Sequence, residues 1–562
     1  MYLLTQISKF LFIFFMILFA VKDYTWLLRR SEEKKNRVLG SQIRILYLYT
    51  GLGALLILLN EFSVVNALLV AGILIYYGIT LVAYRLIYPR ASMLLVNNML
   101  MLLGTGFLVI TRLNNSQGIK QFLIAAAGTV IAFLVPVIVR NGRFLPRLTW
   151  LYAVIGIAAL LVVLALARIS GGARLSLSVG GVTIQFSEVV KITLVFFLAA
   201  KLSADRSFRS VVIATIVAAM HVVILVLSTD LGTALVFFVA YIVIVYVATR
   251  KPVYPLAGLA AGAAASVGAY HLFGHVRQRV TAYVDPFSVY DTSGYQIVQG
   301  LFAIGAGGWF GTGFYLGHPQ TIPVATKDFI FSAICEEFGT VFAIGMLLVC
   351  MSMYLLIVSI SMQLENTFFR LVAIGLGTEY AFQVFLTVGG VTKFIPMTGI
   401  TLPLVSYGGS SAISTIIMLA IIQGLYILRD DEAVAEEYDE EPEEELYESP
   451  YENADTPHDR TEKENVNTDA AYGRTGRKHN NTDAAYGRTG RKHNNADAAY
   501  GRTGRKRKNA DAYGRTGRKH SNAGSSYGAA GREQFYDKGI DPERYAEFLR
   551  DLEEADTRDG RK

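Results

Sequence analysis

The chain has 562 residues, 53% of them hydrophobic, and its net charge of +7 averages over blocks of very unlike composition. Charge is sparse up to about residue 428 and dense after it. This excludes a protein that is water-soluble throughout and implies a membrane protein with a polar tail. The averaged charge says little about partners, and no nucleic-acid partner is expected.

A membrane span needs about 20 mostly apolar residues. Thirteen segments qualify, the first three near 3–22, 43–60 and 63–84. The other ten lie near 91–111, 121–139, 149–167, 187–201, 209–227, 230–249, 253–273, 328–358, 371–388 and 401–428. No A-x-A cleavage site follows the first stretch, so it reads as a helix rather than a signal peptide. Cys335 and Cys350 share one apolar run and read as packing residues, not as a disulfide or metal cluster.

Lysine and arginine set the expected orientation. Lys22 to Arg37, Arg85 and Arg90, Arg140 to Arg147, Lys201 to Arg209, Arg250 and Lys251, Arg370 and Arg429 fall in one set of connections. The alternate set is poor in both. The rich set is then cytoplasmic, with the N-terminus outside and the tail inside. The long connection 274–327 and the turn near Lys393 both face outward.

Residues 389–411 read GGVTKFIPMTGITLPLVSYGGSS. Pro396, Pro403 and paired glycines break the backbone at membrane depth. Such breaks are tolerated where protein or a water-filled cavity satisfies the freed polar groups. The stretch reads as a cavity wall, with a packing turn as the alternative.

Ionisable residues inside spans are functional hypotheses. Glu188 and Lys191 lie three apart on one helix face and can pair. They line an anion-binding groove or fix helix packing. Asp230 opens a span and can cap it. Arg277, Arg279 and Lys393 are cations at the outward end. Glu336 and Glu337 are adjacent and cannot both face one cavity.

The tail changes character after Leu428. An acidic linker (429–466) and 14-residue repeats rich in Gly, Arg, Lys and Asn (467–522) read as disordered. The repeats either meet anionic headgroups or serve no selected role. The final part (523–562) carries a short amphipathic helix over 541–555. Asp541 and Pro542 begin it, and it is a docking peptide for a cytoplasmic partner or a weakly helical end.

Four blocks resemble the SEDS family (shape, elongation, division and sporulation) of RodA/FtsW/SpoVE type. They are GGARLSLSVGGVTIQFSEVVK (171–191), STDLGTALV (228–236), GYQIVQGLFAIGAGGWFGTGFYLG with PVATKDFIFSAICEEFG (294–339), and the 389–411 stretch. The resemblance covers residues 91–428 and implies an all-α polytopic membrane protein. Its ten-span SEDS-like core follows three additional N-terminal transmembrane helices (1–90) and precedes a disordered cytoplasmic tail. Phe186 stands where the family usually has Pro, Leu175-Ser176 replaces Trp-Ile, and Lys327 precedes Asp328 where Thr is usual.

The family's activity implies a peptidoglycan glycosyltransferase that polymerises lipid II beside a class B penicillin-binding protein transpeptidase. A lipid II flippase and a non-catalytic scaffold are the alternatives. The family's loop aspartate sits five residues before the Gly of G-Y-Q, where this chain has Val289. The resemblance then assigns the base to Asp291 by a two-residue slip, with Asp285 as fallback. Both also fit ordinary turn chemistry. It assigns substrate binding to Glu188, Lys191, Asp230, Arg277, Arg279, Gln296, Asp328, Lys393, Ser406, Gly408, Gly409 and Ser410. A divalent cation, Mg or Mn, held between an acid and the pyrophosphate is compatible with it, although no cluster has dedicated metal-ligand spacing.

Overall fold

An apolar run in hydrocarbon can satisfy its own backbone as a helix. The computed structural model describes residues 2–166, 177–179 and 182–439. It begins with α1 (Tyr2–Leu28), α2 (Glu32–Asn60), α3 (Val64–Ile87), α4 (Met93–Leu113), α5 (Asn115–Ala132), α6 (Val135–Arg140) and α7 (Thr149–Leu166). A small antiparallel hairpin follows, β1 (Leu177–Val179) and β2 (Val182–Ile184), with Ser178 opposite Thr183. Then come α8 (Ser187–Ala204), α9 (Phe208–Leu227), α10 (Leu231–Thr249), α11 (Val253–Leu272), α12 (Gly274–Val284) and α13 (Tyr295–Gly307). The last are α14 (Ile330–Phe338), α15 (Thr340–Gln363), α16 (Thr367–Val391) and α17 (Gly409–Asp439).

Twelve helices among the described residues are long and apolar enough to cross a membrane. The expected thirteenth, α8, forms a helix but carries Glu188, Lys191 and Lys201. The chain is an all-α multi-pass membrane protein whose hairpin is its one departure from helix-and-loop architecture among the described residues.

Three expected spans have different bounds. The run 121–139 is split at Phe133 and Leu134, ahead of Pro136, into α5 and α6. The run 328–358 is split at Gly339, whose φ of +89° a side chain would strain. Asp328 therefore lies ahead of α14, outside any helix. The run 401–428 becomes helical only at Gly409, because Pro403 lacks a donor and Leu404 has φ +66°.

α4 is the central helix. Every residue from Leu94 to Thr111 is buried, the apolar majority together with the polar Asn97, Asn98, Thr105 and Thr111. It packs on α2, α5 and α15, and α1 packs on both α2 and α15. The three leading helices thus belong to the same packed unit as the rest. Helix starts follow capping rules: the side chains of Ser63, Ser92, Asn114, Ser207, Asp230 and Asn366 each accept a backbone N–H. α17 continues to Asp439, so the first residues assigned to the acidic linker are helical. The remaining tail readings, including the repeats and the 541–555 helix, lie outside the described residues.

Candidate active site

The stretch 392–408 between α16 and α17 is non-helical. α16 closes through Lys393 in the left-handed region (φ +56°), with Phe394 N–H donating to the Gly389 carbonyl. The stretch then turns back into the bundle, and its freed groups find partners. Ser406 Oγ donates to the Lys327 carbonyl at 2.7 Å and accepts from Leu402 N–H at 2.8 Å. Tyr407 N–H donates to the Thr326 carbonyl at 2.7 Å. Gln121 of α5 donates to the Ser406 carbonyl and accepts from Gly408 N–H. Side chains and loop backbone thus complete the broken backbone, as hydrocarbon depth requires.

The close approach has a cause in α4. A Cβ at Gly106 would sit 2.5 Å from the Val405 carbonyl oxygen and 3.1 Å from that of Leu404. Only a residue without Cβ lets the stretch lie this near α4.

The connection 274–327 meets the same stretch from the other side. Arg279 of α12 donates from Nη1 to the Thr398 carbonyl at 3.1 Å. Tyr283 Oη donates to the Phe394 carbonyl, and Lys393 Nζ approaches the Val284 carbonyl at 3.5 Å. Arg279 also interacts electrostatically with Asp230 and Asp328. Burial pulls the guanidinium below its ordinary range, and the two carboxylates oppose that pull. Burial pushes Asp328 above the usual carboxylate range against the pull of Lys327 and Arg279. A Cβ at Gly399 would lie 3.7 Å from Asp328 Oδ2, which places this acid beside the turn at Thr398 and Gly399.

Below this cluster runs a column of buried polar groups. Asp230 caps α10 through Thr233 N–H and accepts from Ser187 Oγ at 3.2 Å. Gln185 N–H donates to Ser410 Oγ at 2.9 Å, joining the start of α8 to the start of α17. Lys191 Nζ lies 2.6 Å from Glu188 Oε2 and 3.0 Å from Gln383 Oε1. Gln383 Nε2 donates onward to the Thr401 carbonyl, and Thr387 Oγ1 to that of Ile400. The expected Glu188–Lys191 pair exists, and its other partners are Gln383 of α16 and Ser414 of α17.

The loop acids lie between α12 and α13. Asp285 follows α12, and its carboxylate accepts from Phe287 and Ser288 N–H at 3.2 Å each. Asp291 lies exposed in a short π-turn, Tyr290–Gly294, ahead of α13. Arg277 and Gln296 are exposed on α12 and α13, while Gly408, Gly409 and Ser410 are half-buried where α17 begins.

Glu336 and Glu337, left without named partners by the sequence, both hold the loop. Glu337 lies 3.3 Å from Arg112 and accepts from Tyr315 N–H, and Glu336 accepts from His318 N–H at 2.7 Å. Arg112 also stacks 4.4 Å over the Tyr315 ring. Gln121, Gln383 and Ser414, which donates to the Glu188 carbonyl, were not singled out by sequence. Gln383 carried a usable signal, a polar amide inside an apolar run.

No group of three or more His, Cys, Asp or Glu residues among the described residues is placed to hold a metal ion. Asp230 and Asp328 both interact electrostatically with Arg279.

The model of the FtsW/RodA/SpoVE cell cycle protein family matches residues 85–429. The peptidoglycan glycosyltransferase RodA of Mycobacterium tuberculosis is 34% identical over 375 residues, covering 62% of this chain and 80% of that one. The stage V sporulation protein E of Bacillus subtilis is 32% identical over 320 residues, covering 54% of this chain and 84% of its own. A chain solved in a peptidoglycan synthase complex that coordinates polymerization and crosslinking superposes with a TM-score of 0.54. It is 27% identical, over 60% of this chain and 98% of that chain. With a match over more than half its length, this chain belongs to the FtsW/RodA/SpoVE family of cell cycle proteins.

Proposed function

We propose that the chain is a peptidoglycan glycosyltransferase that polymerises lipid II into glycan strands for elongation, division or sporulation. The observation that carries the reading is the junction at Thr398. There an arginine from the long connection, two carboxylates and the broken stretch come together above a buried polar column. A lipid-linked sugar pyrophosphate needs such a place, with cations beside apolar helix faces.

The 4-hydroxyl of the acceptor sugar attacks the anomeric carbon of the donor with inversion. The bond to the lipid pyrophosphate breaks, and the hydroxyl proton passes to a carboxylate. A positioned carboxylate base contributes roughly 10²–10⁴-fold. The family resemblance assigns the base to Asp291, with Asp285 as the fallback. Arg277, Arg279 and Lys393 supply positive charge for the leaving pyrophosphate. Gln296, Ser406, Gly408, Gly409 and Ser410 line the approach. Mg or Mn, where it takes part, arrives with the pyrophosphate.

With α8 crossing as a thirteenth span, the arginine-rich connections support a topology with the N-terminus and the 274–327 connection outside and the tail in the cytoplasm. The catalytic face then meets lipid II and a class B penicillin-binding protein on the same side. The deep Glu188–Lys191–Gln383 column is what a flippase reading would rest on.

The test uses the purified full chain with its cognate transpeptidase and labelled lipid II. Wild type makes polymer and Asp291→Asn does not. Transport of lipid II across liposomes without polymer overturns the enzyme reading. Loss in Asp285→Asn alone moves the base and leaves the function standing.

A further inference from the structure

A cleft at the arginine-rich end of the bundle has a chemically one-sided lining. It measures about 410 Å³, within the range of small-ligand pockets. The end of α3 and its turn into α4 supply Ile87, Tyr88 and Arg90, α6 supplies Val137 and Arg140, and α17 supplies Ile427. Pro136, at the break between α5 and α6, belongs to its wall. The polar side chains of the lining are Tyr88, Arg90, Arg140 and Asn141, and no acid is among the described residues that line it. Tyr88 is engaged, its hydroxyl donating to the Phe133 carbonyl. Arg90, Arg140 and Asn141 are exposed.

One carboxylate serves both arginines. Asp431 Oδ1 accepts from Arg90 Nη1 at 2.7 Å, and Asp431 accepts from Arg140 Nε at 2.6 Å and Nη2 at 3.2 Å. Two positive charges against one negative leave one in excess. A guanidinium carries five N–H donors, and these bonds use one from Arg90 and two from Arg140. The side chains are 55% and 52% exposed, so donors remain within reach of a ligand. Beside them lies exposed apolar helix surface, Leu86 and Ile87 on α3 and Val137 and Ile138 on α6. Cations set against hydrocarbon-facing helix sides match a ligand with an anionic head and apolar chains.

We propose that Arg90, Arg140 and Asn141 form a headgroup site for one phospholipid of net negative charge, whose phosphate meets the two guanidiniums and whose chains run along Ile87 and Val137. The planar fork of arginine matches phosphate oxygens, and basic pockets between membrane helices take anionic headgroups. Arg90 follows the three leading helices directly, whereas Arg140 belongs to the core, so the bound lipid spans their junction. The topology proposed above places the cleft at the cytoplasmic leaflet. The charge and shape of the cleft do not depend on that topology or on the polymerase reading, and the test uses no lipid II.

The test is native mass spectrometry of the purified full chain in detergent, titrated with dioleoyl phosphatidylglycerol or dioleoyl phosphatidylcholine. Wild type binds phosphatidylglycerol more tightly than phosphatidylcholine. The double variant Arg90→Gln, Arg140→Gln weakens phosphatidylglycerol about tenfold or more and leaves phosphatidylcholine unchanged. Arg147→Gln removes an exposed charge outside the cleft and keeps the wild-type affinities. Asp431→Asn frees the second guanidinium charge and tightens phosphatidylglycerol roughly fivefold. The basic repeats of the tail are common to every variant, so differences between variants report the cleft. Equal affinity of wild type for the two lipids overturns the proposal. So does full retention of phosphatidylglycerol in the double variant, or a loss in Arg147→Gln as large as in the double variant. Displacement of the lipid by inorganic phosphate at matched concentration shows a simple anion site and overturns the lipid assignment. If the double variant cannot be purified, Asp431→Asn decides: tighter binding supports the site, and unchanged or weaker binding overturns it.

Discussion

Arg279 holds Thr398 by its backbone: the guanidinium Nη1 donates to the carbonyl at 3.1 Å while the side chain interacts with Asp230 and Asp328. The bond joins the long connection to the non-helical stretch. A charge-assisted hydrogen bond of this kind contributes about 1.5–3 kcal/mol, so Arg279→Ala is expected to lower the polymerisation rate roughly 10–100-fold. Arg279→Lys keeps the charge but loses the fixed fork and should recover only part of the rate. Initial rates with labelled lipid II measure both, and full activity in Arg279→Ala would remove the junction from the mechanism.

Lys191 lies within electrostatic reach of two buried acids. Glu188 pairs with it at 2.6 Å. Glu379 is also near enough to interact electrostatically with it, and both Glu379 carboxylate oxygens lack a hydrogen-bond donor. Breaking a buried pair from one side typically costs about 3–5 kcal/mol. Lys191→Met should therefore lower Tm more than Glu188→Gln does, because it leaves two acids facing each other. The double variant should regain much of the loss. Melting curves of the four proteins form the cycle. Equal effects of the two single changes would contradict this account.

Gly106→Ala separates helix propensity from packing. Within a helix the change normally stabilises by up to about 1 kcal/mol. Here the new methyl would sit 2.5 Å from the Val405 carbonyl oxygen, so backbone must move. The expected outcome is a destabilisation of about 1–3 kcal/mol together with loss of polymerisation. Gly51→Ala, with nothing within 4 Å of the added Cβ, is the matched control and should be neutral or stabilising. Melting curves and lipid II assays on the pair read out the difference.

The turn between α8 and α9 carries a pH signature. Asp205 accepts from Ser207 N–H at 2.9 Å, Ser207 Oγ at 2.6 Å and Ser210 Oγ at 2.5 Å, and these bonds hold its carboxyl down to about 2. A depressed folded-state value stabilises the fold above the unfolded value of about 4, and the effect fades as pH falls towards 2. Asp205→Asn should therefore melt below wild type at pH 7. The gap should narrow between about pH 4 and pH 2. A gap independent of pH would rule out the carboxylate as its source.

The sequence carries the helices well, because runs of Leu, Ile, Val and Phe in hydrocarbon admit few other structures. It carries their ends less well. Asp328 reads as the start of a span, yet Gly339 starts the long helix and leaves Asp328 beside Gly399. Pro403 signalled a break, but the depth to which 404–405 folds against α4 depends on Gly106, nearly 300 positions earlier. The Glu188–Lys191 pair was legible because its spacing is local. Its link to Gln383 and Thr401 was not, because only tertiary packing brings α8, α16 and the broken stretch together. Glu336 and Glu337 follow the same logic: adjacent acids on one helix diverge, and their partners, His318 N–H and Arg112, come from a loop and from α4.

The split between α14 and α15 has a consequence for engineering. Thr340 and Val341 N–H donate to the carbonyls of Gly308 and Trp309, and Thr312 and Gly313 N–H donate to those of Glu336 and Glu337. Gly311 and Gly339 approach so closely that a Cβ at Gly339 would lie 2.5 Å from the Gly311 nitrogen. The long connection is therefore knitted by its main chain into the helices that follow it. A chimera exchanging residues 274–327 with a relative would cut across this seam. Its boundaries belong instead beyond residue 341, with both glycines taken from the same parent.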